Sequence, residues 1–259
     1  MKAYGLAKAA GGRPVLIDCT GDLDHESEAR IIAPLLEEPD VKTSWLLVVA
    51  HPAASALALV LTRLASHKQI RRTVANIFEP ASERGKRGIS ELHQQTNSLL
   101  AFKAPEKEVF DAQLSFNLLS QYGEKAAAKL GAVEHRIETH LATLLAAQSK
   151  VSVPMASLRL IQAPVFHGYS SSLWVEFDSD VHEGELGEAL ASAQIEVRGQ
   201  TEEAPNNVGA AGQSGLITGD IRVDRNNARA AWFWIVADNL RLTADAAADL
   251  IGTIGTELP

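Results

Sequence analysis

Trp45-Leu46-Leu47-Val48-Val49-Ala50 is an unbroken apolar run that stops at His51-Pro52 and gives way to a Leu- and Ala-rich stretch over 53–66. A run with no polar position has no face to offer water, so it reads as a strand covered on both sides. A helix over 53–66 follows directly, and strand-then-helix with a doubly covered strand is α/β organisation. Upstream, residues 3–10 are Ala-rich and helical. Gly11-Gly12 stops that helix, Pro14–Asp18 reads as a short buried strand, and 19–43 is irregular and acidic.

The character then changes. Residues 73–78 read as a strand, 88–99 as a helix and 124–148 as a long helix. From 151 onward strand signals dominate, at 157–166, 171–177, 194–198, 216–223 and 230–237, with a short helix near 183–192. The polar, Gly/Asn-rich stretch 200–215 is a connecting loop. The tail 243–254 is a helix with Thr243 as its cap. The whole is α+β: a sizeable mixed sheet covered by helices, behind a small α/β piece.

Composition narrows the function classes. The chain has 259 residues, 46% of them hydrophobic and 22% charged, enough to bury a core without covalent staples. Its net charge of −8 is not offset by any Lys/Arg-rich run, which argues against nucleic acid as a partner. No apolar run approaches the roughly 20 residues of a membrane span, and the first residues lack a signal-peptide core. The single cysteine, Cys19, leaves no internal disulfide framework and no multi-cysteine metal site. These features together read as a cytoplasmic protein.

Several stretches, in order, resemble the aspartate-semialdehyde dehydrogenase family, which the N-acetyl-glutamyl-phosphate reductases share by fold. They are Val15–Gly21, Ala50–Ser55, Ser82–Gly88 with Glu91-Leu92, Ser115–Gln121, Ala163–Ser170 and, closest of all, Trp234–Arg241. The resemblance implies an N-terminal Rossmann domain for NADP and a C-terminal α+β domain that forms the dimer. It also implies a cysteine nucleophile, a histidine that moves protons and an arginine that holds the substrate carboxylate.

The chain departs from that pattern at each chemical position. The family cysteine falls on Ala54, which has no nucleophilic atom; its neighbour Ser55 reads as a cap or loop residue. The substrate arginine falls on Gln162, which lacks the guanidinium fork. The family histidine falls on Tyr169, which titrates near pH ~10. His167, two residues earlier, shares its face if the segment is a strand. The family's substrate glutamate falls at Gly131 or Ala132 and its basic neighbour near Glu134, and His135 and His140 on that helix read as solvent-facing. No Gly-rich phosphate turn occurs, and Met1 falls partway through the family's cofactor domain.

The expected division is a remnant of the NAD(P) domain at 1–52, a dimerisation domain at 53–237 and a C-terminal helix at 238–259 packing back on the remnant. The sequence looks like the catalytically incomplete Usg-type paralogues. The expected protein is inactive and forms a homodimer, or a heterodimer with an active aspartate-semialdehyde dehydrogenase. No catalytic or cofactor-binding residue and no metal is expected; NADP enters only with a longer N-terminus. Two alternatives stay open: an active NADP-dependent oxidoreductase, and a small-molecule binding module using a vestigial cleft of Ala54, Ser55, Gln162, His167 and Tyr169.

Overall fold

The structure, a computed structural model, describes residues 2–10, 15–36 and 44–257. The chain opens with helix α1 (Lys2–Ala9) and three short strands, β1 (Leu16–Asp18), β2 (Ala29–Ile32) and β3 (Leu46–Val49). Their order is β1-β3-β2, all parallel. The central position of β3 accounts for its unbroken apolar sequence. Leu46 and Val48 cluster with Tyr4 of α1, whose ring stacks on Trp45 with centroids 5.8 Å apart. Leu47 and Val49 point the other way, onto Leu250 near the C-terminus. Alternate residues of one strand thus feed two separate cores.

Strand β2 corrects the expectation that 19–43 is wholly irregular. Four residues within an acidic loop carry little periodic signal, and the pairing of Ala29 through Ile32 with β3 supplies what local pattern does not. The Gly11-Gly12 stop and Pro14 lie outside the described residues.

Helix α2 (Pro52–His67) follows β3 and is apolar nearly all round its first half, with Ala53 to Leu61 all buried. It leads into β4 (Ile70–Glu79), a 3-10 turn at Ala81–Arg84 and α3 (Gly85–Leu100). After a long loop come α4 (Leu130–Ala147), β5 (Ser157–Gln162), β6 (Tyr169–Phe177), α5 (Glu183–Leu190), β7 (Ile195–Val197), α6 (Asn207–Ala210), β8 (Leu216–Asp224), β9 (Asn227–Ala237) and α7 (Asn239–Glu257). The six later strands form one mixed sheet in the order β5-β4-β6-β9-β8-β7.

One face of that sheet is the main core. Ile77, Leu173, Val175 and Phe233 pack with Leu57 and Leu64 of α2, Leu141 of α4 and Leu186 of α5. The opposite face carries Val74, Phe78, Trp174, Trp232 and Trp234, aligned across strands by the pairs Val74–Trp174, Trp174–Trp232 and Ser172–Trp234. There Val74 and Trp232 remain 41% and 40% exposed. Phe233, between two outward tryptophans, is buried by simple alternation.

Other boundaries differ from expectation, and α4 begins at Leu130 rather than at 124. The tail helix begins at Asn239, and its cap is Asp238, whose Oδ1 accepts from the amides of Leu240 and Arg241 at 2.9 and 3.0 Å. Thr243 lies inside the helix and donates to the Asn239 carbonyl. Residues 163–168 form a turn rather than the end of a strand. Gly168 there has φ +82°, a conformation that interrupts the period-two alternation. His167 therefore does not share a strand face with Tyr169. No helix among the described residues is long and apolar enough to cross a membrane.

Candidate functional site

The carboxyl ends of β3 and β4, the start of α2 and the start of α7 meet at one place. His51 sits there as the cap of α2, its Nδ1 accepting from the Ala53 amide at 3.3 Å. Its own backbone N–H donates to His140 Nδ1 at 2.9 Å. That bond fixes the His140 proton on Nε2, which faces Asp24 Oδ2 at 2.9 Å. Arg136 Nε reaches the same oxygen at 2.6 Å. Gly21, with φ +78°, leaves the space the Arg136 guanidinium fills; a Cβ there would overlap it. Burial opposes ionisation of Asp24, but the bond from His140 and the charge of Arg136 outweigh it and hold the carboxyl below its ordinary range.

His140 is fully buried, against the expectation of a solvent-facing side chain, whereas His135 is exposed. Ile137, Leu141 and Leu144 mark the buried stripe of α4, and position 140 falls on it.

On its other side His51 Nε2 lies 3.4 Å from the Tyr169 hydroxyl and 4.0 Å from Glu83 Oε2. Burial keeps His51 neutral, well below the usual histidine range, and pushes the Tyr169 phenol well above the usual tyrosine range. Glu83 Oε1 accepts from Asn239 Nδ2 at 2.7 Å. Asn239 also bonds Ser82 Oγ, and its Oδ1 accepts from the Gly168 amide at 3.1 Å. Burial raises the Glu83 carboxyl against the lowering effect of Asn239.

Beside this group lies a second buried set. Glu79 Oε1 accepts from Arg84 Nη2 at 2.8 Å and lies 3.0 Å from the Tyr122 hydroxyl, which is 2.6 Å from Gln162 Oε1. Gln162 Nε2 donates to the carbonyls of Glu79 and Ala163. Burial pushes Glu79 up to about 7, with Arg84 opposing.

The residues singled out from the sequence are mostly inside the protein. Ala54 and Gln162 are fully buried and Tyr169 nearly so. Ser55 is buried too and lines a narrow pocket of about 40 Å³ with Pro52, Leu242 and Thr243. His167 is partly exposed, and its carbonyl accepts from Asn207 Nδ2. Glu134 accepts from the Leu160 amide and so ties α4 to β5. The open cleft, about 460 Å³, is lined instead by Thr20, His51, Ser82, Glu83, Arg136 and Asn239, with Leu240, Ala244 and Ala247 along α7. Cys19 stands at its edge.

His51, Glu83, Asp24 and Asn239 were not singled out from the sequence. In the sequence His51 enters as the end of a strand and within the Ala50–Ser55 resemblance, Glu83 within Ser82–Gly88 and Asn239 within Trp234–Arg241, none with an assigned role. The cleft residues present do not fit a dinucleotide phosphate. Its guanidinium, on Arg136, is drawn onto Asp24, and the buried carboxylate of Glu83 faces the same space. Among the described residues no group of three or more His, Cys, Asp or Glu side chains is placed to hold a metal.

A parallel α/β layer joined to a helix-covered six-stranded sheet, with a cleft at the junction, is the architecture of the semialdehyde dehydrogenases. A family model for the semialdehyde dehydrogenase dimerisation domain matches residues 61–242. The chain is 31% identical over 239 residues to a USG-1 protein homolog of Azotobacter vinelandii, covering 91% of this chain and 69% of that one. It is 31% identical over 201 residues to an aspartate-semialdehyde dehydrogenase of Rickettsia bellii, covering 75% of this chain and 57% of that one. The structure of a probable aspartate-semialdehyde dehydrogenase from Pseudomonas aeruginosa superposes with a TM-score of 0.84 at 28% identity, over 98% of this chain and 78% of that chain. The chain belongs to the semialdehyde dehydrogenase family and carries its dimerisation domain.

Proposed function

We propose that this chain is a non-catalytic member of its family that works in the cytoplasm by associating with a second copy of itself through the tryptophan-bearing face of the six-stranded sheet, which α6 covers only in part. One observation carries the loss of chemistry: the position at the start of α2 that resembles the family nucleophile is Ala54, buried in the core with only a methyl group to offer. Tyr169, where the resemblance implies a proton-moving histidine, has its phenol raised further by burial and holds its proton at neutral pH.

Val74, Phe78, Trp174, Trp232 and Trp234 on one sheet face support the association. Light scattering on the eluting protein is expected to give twice the chain mass, and Trp232→Glu a monomer. A mixed dimer with an active aspartate-semialdehyde dehydrogenase uses the same face; co-purification of such a partner from the native cells would favour it over the self-pair. A dehydrogenase assay with NADP, phosphate and aspartate semialdehyde is expected to show no turnover. Turnover above background would restore the oxidoreductase reading.

The cleft of about 460 Å³ favours a second reading, a small-molecule binding module. It sits beside the filled positions Ala54, Gln162 and Tyr169 rather than among them.

A further inference from the structure

We propose that the cleft between the two sheets takes a small aliphatic amine, with its ammonium group against the carboxylate of Glu83. This rests on the binding-module reading above and names the ligand class for it.

The argument is one of missing charge. Glu83 lies in the 3-10 turn at the mouth of α3, with a side chain only 17% exposed. Asn239 and the Tyr169 hydroxyl hydrogen-bond its carboxyl, but both are neutral, and Oε2 has no cationic group of the described residues within 4.0 Å except the His51 ring. That ring is not a cation. Nδ1 accepts the Ala53 amide, so a second proton there would break the cap of α2. The two guanidinium groups nearby act on Glu83 only through space, because each is paired elsewhere: Arg84, the next residue, with Glu79, and Arg136 with Asp24. Burial makes the charged form of Glu83 costly, and an ammonium ion bound beside it offsets that cost.

The rest of the cleft suits the stem of such a ligand. Val49, Leu240, Ala244 and Ala247 provide apolar wall; among the described residues Glu83 is the one acid lining it, and the Arg136 guanidinium that also lines it is paired with Asp24. The volume of about 460 Å³ suits a small molecule. The Asn239 amide keeps Glu83 in one rotamer, so the carboxylate is positioned before anything binds.

The test is an NMR titration of the full-length protein at pH 7.5, following the Asn239 side-chain amide and the Leu240 and Ala247 backbone amides. The probes are n-butylamine, 1,4-diaminobutane, n-butanol and butyrate. Saturable shifts are expected with the amines, at least about tenfold weaker with butanol and butyrate. Glu83→Gln keeps the Asn239 bond and the side-chain shape and is expected to weaken amine binding by about tenfold or more. Equal shifts with butanol, or amine binding that survives Glu83→Gln, would overturn the amine assignment and leave the binding module standing. No shift at any of the three positions with any probe would remove both.

Discussion

Trp174 and Trp232 face each other across β6 and β9, and their indole N–H groups donate to the same oxygen of Asp224, at 2.8 and 3.1 Å. One carboxylate thus sets the tilt of two large rings on the face proposed to pair. The Asn226 backbone and Trp174 hold the Asp224 carboxyl below its ordinary range, so it remains an acceptor throughout the physiological range. Asp224→Ala is expected to free both rings while leaving the fold intact. Sedimentation over a concentration series should show the dimer weakened by about tenfold, the scale of two lost hydrogen bonds.

Restoring the missing thiol is not expected to restore the reaction. Ala54 is fully buried, so the thiol of Ala54→Cys would sit in apolar surroundings that raise its pKa, and the nearby His51 imidazole is tied to the Ala53 amide as the cap of α2. The extra sulfur is expected to cost about 1–3 kcal/mol by overpacking. Iodoacetamide labelling in the native state should be slow and dehydrogenase activity undetectable.

Asp24 ties the three-stranded layer to α4 through Arg136 and His140. Its folded-state pKa is depressed, so its contribution is present above the unfolded value and is lost as pH falls through the folded one. Asp24→Asn is expected to destabilise the protein by about 2 kcal/mol at pH 7, with the difference from wild type shrinking below pH ~4. Urea titrations at several pH values would read this directly.

Glu79 acts in the opposite sense. Its folded pKa is raised to about 7 by burial, so between the unfolded value and about 7 the folded chain holds a proton the unfolded chain has released. Stability therefore falls as pH rises through that window, by up to about 3 kcal/mol from this group. Glu83 contributes with the same sign. Glu79→Gln is expected to reduce the slope of melting temperature against pH between about 5 and 7 without abolishing it.

The legible parts of this fold are those in which one residue pattern has one physical cause. The unbroken run of β3 reports two covering layers, and the alternation of β9 places Phe233 inward between two outward tryptophans. Strand β2 was hidden because four residues in an acidic loop become a strand only when β3 lies beside them. The burial of His140 was legible in principle, from the Ile137–Leu141–Leu144 stripe. Its partner Asp24 was not, because 116 residues separate the two. The same holds for the cleft: Glu83 and Asn239 meet across 156 residues, and no local signal announces that meeting.

Asn239 is the first residue of α7, and it fastens the 80s turn and the Gly168 turn while Asp238, just before it, caps the helix and holds the Gly212 amide. The Asp238–Arg241 segment is thus a joint between load-carrying parts. Kinship read from it reports how α7 is fastened to the turns at the end of the six-stranded sheet and is silent on whether a reaction takes place beside it. If Ala54 ends the chemistry as proposed, this asparagine keeps its structural task of holding both turns to the start of α7.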